Sequence, residues 1–207
     1  MSVVVTARGR QTGVTLLELI VTVSIVGILV AIGVPQLGDW VRRNSVGSAA
    51  DVMQNGLLQA EGEAIRRNQR IEFLLTDGKP AVSGIKTLTA AVNGTNWAIR
   101  AVDSSYAPLA DESQAYVNGF AMGDIATDLK IEGPASIVFN GMGRVTDIKG
   151  VAITEYQVFR LSRTGADRAI CVFVTPGGGV KACDPSFSAD KPFACQPLVS
   201  LSKCPKP

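Results

Sequence analysis

The chain has 207 residues, 46% of them hydrophobic, a formal charge of +2 and no histidine. This length suits one membrane helix joined to one compact domain. The near-neutral balance gives no general electrostatic pull toward nucleic acid, and the lack of histidine excludes Ser-His-Asp and Cys-His catalysis as well as histidine metal sites.

Arg8 and Arg10 precede the most distinctive stretch. From Val14 to Val34, 21 residues, Glu18 is the only charge, and Pro35 follows. A helix rises about 1.5 Å per residue, so the run is roughly 30 Å long, the thickness of a bilayer core. A secretory signal peptide has an apolar core of roughly 7–15 residues ending in a small-residue cleavage site. This run is longer and leads into more helix-like sequence. An ordinary membrane anchor explains its length but not Glu18. An acidic side chain in hydrocarbon costs on the order of 2–3 kcal/mol unless it finds the interface or a partner. Glu18 therefore either snorkels to the headgroups or meets a positive charge. Arg8 and Arg10 hold the amino-terminal arm in the cytoplasm. Arg42 and Arg43 follow the run, but a long domain translocates largely regardless of charge.

After Pro35 the pattern becomes one-sided. Val46, Ala49, Ala50, Met53, Leu57, Ala60 and Ala64 recur at three- and four-residue steps, with Arg42, Arg43, Asn44, Gln54, Gln59, Glu61, Arg66 and Arg67 opposite. One helix over Val14–Arg67 is predicted, apolar all round in its first half and amphipathic in its second. Pro35 should bend it. Strands are predicted over Gln69–Thr76, Trp97–Val102, Ser136–Asn140, Tyr156–Ser162, Arg168–Thr175 and Val180–Cys183. Asn93-Gly94 and Asn118-Gly119 read as turns, Gly141–Arg144 as a tight hairpin, and Asp103–Asp128 as a variable loop with a short helical piece. The tail from Asp184, with five prolines, reads as loop.

Cys171, Cys183, Cys195 and Cys204 all fall in the last 37 residues, spaced 12, 12 and 9 apart. An even count confined to one end reads as two disulfides in an oxidising compartment. Zinc is the rival, and it would want closely paired ligands such as Cys-x-x-Cys. Neighbours are expected to pair: Cys171 with Cys183 across the turn Pro176–Gly179, and Cys195 with Cys204 around a short loop.

The residues Gly13-Val14-Thr15-Leu16-Leu17-Glu18 resemble the class III signal of type IV pilins and pseudopilins. The resemblance implies that a prepilin peptidase cuts between Gly13 and Val14, that Val14 is then N-methylated, and that Glu18 pairs with a neighbouring subunit's amino terminus. Most members have phenylalanine or methionine where this chain has Val14. Removal of the leader with Arg8 and Arg10 leaves 18 basic against 18 acidic residues. The runs Asp39–Arg43 and Ala60–Asn68, the hairpin Phe139–Arg144, and Cys171 followed by the glycine-rich turn and Cys183-Asp184-Pro185 resemble the GspH/FimT branch of that family. The implied fold is α+β: a long amino-terminal helix, transmembrane first and amphipathic after, packed on an antiparallel β-sheet domain. The expected organisation is a leader over 1–13, a membrane and filament-core helix over 14–35, an amphipathic half over 36–68 and a periplasmic domain over 69–207. Gly13, Val14, Glu18 and Pro35 are the processing and assembly residues. The implied partners are the prepilin peptidase, other major and minor pilins or pseudopilins, and inner-membrane lipid.

Three functions are weighed. The first is a minor pilin of a type IV pilus that primes assembly or sits near the tip. The second is a minor pseudopilin of a type II secretion system. The third, of another class, is a binding module, either a tip adhesin or a DNA receptor for uptake, with Lys181, Lys191, Lys203 and Lys206 as the DNA contacts. A solvated tail is the plainer account of those lysines. Asp51 with Glu61, or Asp111 with Glu112, read as solvated carboxylates rather than acid–base pairs. Asp184 and Asp190 lack the dense oxygen spacing of a calcium loop, and the glycines at 177–179 lack the phosphate-loop pattern. Asn93-Gly94-Thr95 matches a glycosylation sequon, a frequent chance match. No enzyme, metal or cofactor is read.

Overall fold

The structure is a computed structural model and describes residues 13–207. The readings on the leader, including Arg8 and Arg10, lie outside the described residues. Helix α1 (Leu16–Arg67) carries residues of two compact units, the first ending at Trp40 and the second beginning at Val41.

In the first unit, side chains at successive positions are exposed: Leu16 76%, Leu17 73%, Leu19 58%, Ile20 56% and onward to Trp40 62%. Two of its hydroxyls bond back along the helix. The Thr22 hydroxyl donates to the Leu19 carbonyl at 2.9 Å, and the Ser24 hydroxyl to that of Ile20 at 2.7 Å. Such back-bonding leaves no donor stranded in an apolar setting.

In the second unit every residue of the expected stripe, Val46 through Ala64, is 0–2% exposed. The helix ends where Asn68 takes a left-handed conformation (φ 48). The Asn68 N–H then donates to Ile65 O and that of Gln69 to Ala64 O, both at 3.2 Å, which closes the last turn.

Two antiparallel sheets supply the rest. The first, ordered β3-β2-β1-β5-β6, joins β1 (Arg70–Thr76), β2 (Asn96–Val102), β3 (Tyr116–Ala121), β5 (Ser136–Phe139) and β6 (Val145–Thr146). The second, ordered β4-β7-β8-β9, joins β4 (Leu129–Glu132), β7 (Gln157–Arg163), β8 (Ala169–Val174) and β9 (Val180–Cys183). Alternation decides which side chains meet the helix. Ile71, Phe73 and Leu75, Trp97 and Ile99, Ile137 and Phe139, Phe159 and Leu161, and Ile170, Val172 and Val174 share one buried cluster with the stripe. Phe73 links the two sheets, stacked on Trp97 at 5.4 Å and edge-on to Phe159 at 5.7 Å. Gly56 sits mid-helix, at some cost in helix propensity. A Cβ there would lie 2.8 Å from the Trp97 ring, so the close approach of helix to indole needs the glycine.

The outer face of the first sheet is covered as well. Leu74, Ile85, Ala98 and Ala115 form a smaller cluster under the loop from Asp77 and under helix α2 (Glu112–Ala115). Within it Arg100 donates to Glu72 at 2.7 Å and to the carbonyls of Ile85 and Leu88 at 3.0 and 2.9 Å.

The region read as a variable loop, Asp103–Asp128, contains β3. Asn118-Gly119, expected as a turn, lies inside that strand. Its half-buried residues give no clean alternation, and a Cβ at Gly119 would run into the Pro80 ring. The Asn118 amide is taken up by Gln59 Oε1 of the helix at 2.7 Å.

Candidate functional site

Gly13, Val14 and Thr15 lead into α1, and Val14 is 72% exposed. Thr15 caps the helix: its Oγ1 accepts the Glu18 N–H at 3.2 Å, and its carbonyl accepts the Leu19 N–H at 3.1 Å. A threonine followed three residues later by glutamate is the capping-box pattern. Sequence reading overlooked it, although Thr15-x-x-Glu18 was there to be seen. The carboxylate of Glu18 thus sits in the first turn, the positive end of the helix dipole. Among the described residues it has no ion-pair partner. The apolar window of α1 has a mean hydropathy of 2.6 and is 0% buried. Pro35 falls within α1.

The second distinctive region is the tail. The structure pairs Cys171 with Cys204 and Cys183 with Cys195, which corrects the expected neighbour pairs Cys171–Cys183 and Cys195–Cys204. The expected hairpin is present, and Cys171 and Cys183 are cross-strand partners in register. Both point away from the helix, however, onto the outer face of the second sheet. The tail crosses that face and gives one cysteine to each strand. Phe173 and Val199, each 2% exposed, are buried with the four sulfurs. The Sγ atoms of Cys183, Cys195 and Cys204 lie within 4.8 Å of one another. As disulfides they offer no thiolate to a metal.

Other contacts tie the tail down. Arg160, opposite Glu132 in register and bonded to it at 2.8 Å, also donates to the Pro205 carbonyl at 3.0 Å. Lys203 donates to Glu155 at 2.6 Å, and this hydrogen bond and charge hold the Glu155 carboxyl below its ordinary range. Lys203 is therefore engaged, and Lys191 lies 3.8 Å from Asp190. Lys181 and Lys206 are exposed, the former opposite Phe173 on β9. A cavity of about 580 Å³ beside the tail is lined by Tyr156, Pro176, Leu198, Val199 and the Glu155–Lys203 pair.

The carboxylates considered for chemistry have other work. Asp111 caps α2, accepting the Ser113 N–H at 2.9 Å and its hydroxyl at 2.7 Å, which lowers its pKa. Glu112 accepts the Gly84 N–H at 2.9 Å. Asp184, 3% exposed, pairs with Arg168 at 3.2 Å, and Asp190 accepts the Ser188 hydroxyl. Asp51 is exposed. Glu61 faces the turns holding Gly143 and Gly178, and burial pushes its carboxyl upward.

Comparison with known proteins gives a consistent placement. The prokaryotic N-terminal methylation motif matches residues 8–34, and the family described as Type II transport protein GspH matches residues 49–178. Among curated proteins no sequence matches. The crystal structure of the Pseudomonas aeruginosa (strain PAO1) type IV minor pilin FimU is similar at 17% identity, over 75% of this chain and 98% of that one, with a TM-score of 0.49. The minor pseudopilin EpsH from the Type 2 Secretion System of Vibrio cholerae is similar at 11% identity, over 69% of this chain and 99% of that one, with a TM-score of 0.46. With its amino-terminal motif and a match over more than half its length, the chain belongs to the GspH family of pilin-like proteins.

Proposed function

We propose that the chain is a minor pilin of a type IV pilus. A prepilin peptidase cuts between Gly13 and Val14, and Val14 becomes a methylated amino terminus. The apolar helix rests in the inner membrane with the domain in the periplasm, until the subunit is drawn into a filament of other pilins. There it primes assembly or sits near the tip.

The observation carrying this reading is the first part of α1, Leu16 to Val34: apolar on every side, exposed, and charged only at Glu18 in its capped first turn. Among the described residues nothing covers that stretch, and a helix of that kind is at rest only in lipid or among similar helices. Extracted from lipid, Glu18 compensates a neighbouring subunit's terminus and fixes axial register. The two disulfides support an oxidising compartment for the domain. A second reading, minor pseudopilin of a type II secretion system, is favoured by the description of the matched family. The assembly chemistry is shared and only the client differs.

Intact-mass measurement on full-length protein purified from membranes tests processing, and the expected chain begins at methylated Val14. A start at Met1, or one beyond Pro35, would contradict it. A deletion strain separates the two readings: loss of sheared pili supports the pilus, and retention of secreted proteins inside the cell supports the secretion system.

A further inference from the structure

We propose that the native disulfides are reached by exchange among the four cysteines before the tail docks, which makes this chain a substrate of a disulfide-isomerising thiol oxidoreductase. The inference rests on the periplasmic reading above, because it depends on delivery into an oxidising compartment, amino end first.

The geometry offers two pairings within a short reach of each other. Cys171 and Cys183 are directly opposed on β8 and β9. Opposed residues of an antiparallel pair have Cα atoms about 4.5–5.5 Å apart, within the roughly 4.4–6.8 Å that a disulfide spans. On the tail, the sulfurs of Cys195 and Cys204 are 3.6 Å apart without being bonded to each other. The neighbour pairing, Cys171–Cys183 with Cys195–Cys204, is therefore sterically available. The structure nevertheless holds the nested pairing, in which Cys171–Cys204 encloses Cys183–Cys195.

Order of arrival favours the pairing that is not native. Cys171 and Cys183 leave the translocation path before Cys195 and Cys204, and the hairpin brings them together at once. Shorter loops also close more readily: the neighbour pairs span 12 and 9 residues and the nested pairs 12 and 33, so the difference lies in Cys171–Cys204. The two products differ in one respect that matters. Neighbour pairing links the strands to each other and the tail to itself, so nothing covalent holds the tail on the sheet. Nested pairing ties the tail to both β8 and β9 and seats Val199 over Phe173. Burial thus favours the nested product, and speed favours the other.

Conversion needs a thiolate and no net oxidant. The thiolate of the oxidoreductase attacks Cys204 Sγ, forming a mixed disulfide and releasing the Cys195 thiolate. Cys195 attacks Cys183 Sγ, forming Cys183–Cys195 and releasing the Cys171 thiolate. Cys171 attacks Cys204 Sγ, forming Cys171–Cys204 and expelling the oxidoreductase thiolate. Two disulfides enter and two leave, and the catalyst is regenerated. All four cysteines are 0–2% exposed in the finished fold, so exchange belongs to the chain before its tail docks, and docking locks the result.

The test uses the full-length chain in detergent, reduced under denaturing conditions and then oxidised with diamide, which supplies no thiol. Non-reducing peptide mapping should find Cys171–Cys183 and Cys195–Cys204 linked. On return to native conditions, the arm given catalytic reduced glutathione should lose those peptides and gain Cys171–Cys204 and Cys183–Cys195. The arm with all free thiols alkylated should not change. Nested pairs already present after the diamide step, or persistence of the neighbour pairs with glutathione, would overturn the proposal. Mapping of the chain taken straight from membranes reads the compartment separately. Four free thiols there, with exchange intact in the glutathione arm, would contradict the periplasmic reading alone.

Discussion

From Leu16 to Val34 helix α1 carries exposed apolar side chains at successive positions, whereas from Val46 to Ala64 most of its apolar residues form one fully buried stripe and Leu58 is left exposed. The backbone conformation is the same, but the first stretch is almost continuously apolar while about half of the second is polar, charged or glycine. The period differs with it. An uninterrupted apolar run has no side on which to fold back and must find its partner outside the chain, as lipid or another subunit. A run with a 3.6-residue period finds its partner inside the chain, as two sheets. One helix therefore holds both an exposed apolar segment and a segment buried in the domain core, and substitutions should sort by which of these they touch.

The largest folding effect is expected where the domain buries charge. Replacing Arg100 with methionine strands Glu72, 4% exposed, and frees the loop carbonyls of Ile85 and Leu88. The cost should be about 3–5 kcal/mol. Adding Glu72→Leu should recover much of it, measured by denaturant unfolding of the full chain in detergent. Next comes the direct comparison of the helix halves. Leu57→Ala, at a position 0% exposed, should cost about 2–5 kcal/mol of domain stability. Ile25→Ala, at 53% exposure, should leave the same unfolding curve unmoved. Equal effects would break the distinction between the halves.

Gly178→Ala should follow at about 1–3 kcal/mol, because φ there is +102 and the added methyl would press on the Gly143 carbonyl. The smallest effect concerns Glu61. Burial raises its folded-state pKa, so the folded protein holds that proton longer than the unfolded chain does. Its contribution is thus most favourable at acid pH and is lost as pH rises through its unfolded and then its folded value. Glu61→Gln should raise the melting temperature slightly at neutral pH and leave it unchanged below the unfolded value.

What could be read from the sequence follows the same division. The buried stripe was legible because helical period is a local signal, and β1, β2, β5, β7, β8 and β9 were legible from their apolar runs. Strand β3 was not, because its six residues are all half-buried and Asn118-Gly119 imitates a turn. Strand β4 alternates cleanly, but two of its four residues, Lys130 and Glu132, are charged, so it shows no apolar run. The disulfide pairing was hidden for a different reason. Local sequence puts Cys171 beside Cys183, but only the path of the tail across the sheet shows which sulfurs bond. The lysines of the tail were legible as charge and not as pairs, since Glu155 lies 48 positions from Lys203. Thr15 was available through its spacing to Glu18 and was passed over.

The central claim is that the exposed half of α1 is partnered by other subunits through Glu18. The most direct measurement compares wild type, Glu18→Leu and Glu18→Gln for processing, membrane insertion and presence in sheared filaments. Both variants should insert and be cleaved as wild type, since the span becomes no less apolar. Both should be depleted from filaments, since each leaves a neighbour's terminal charge unpaired in an apolar medium. Incorporation of both variants at wild-type levels would contradict the account.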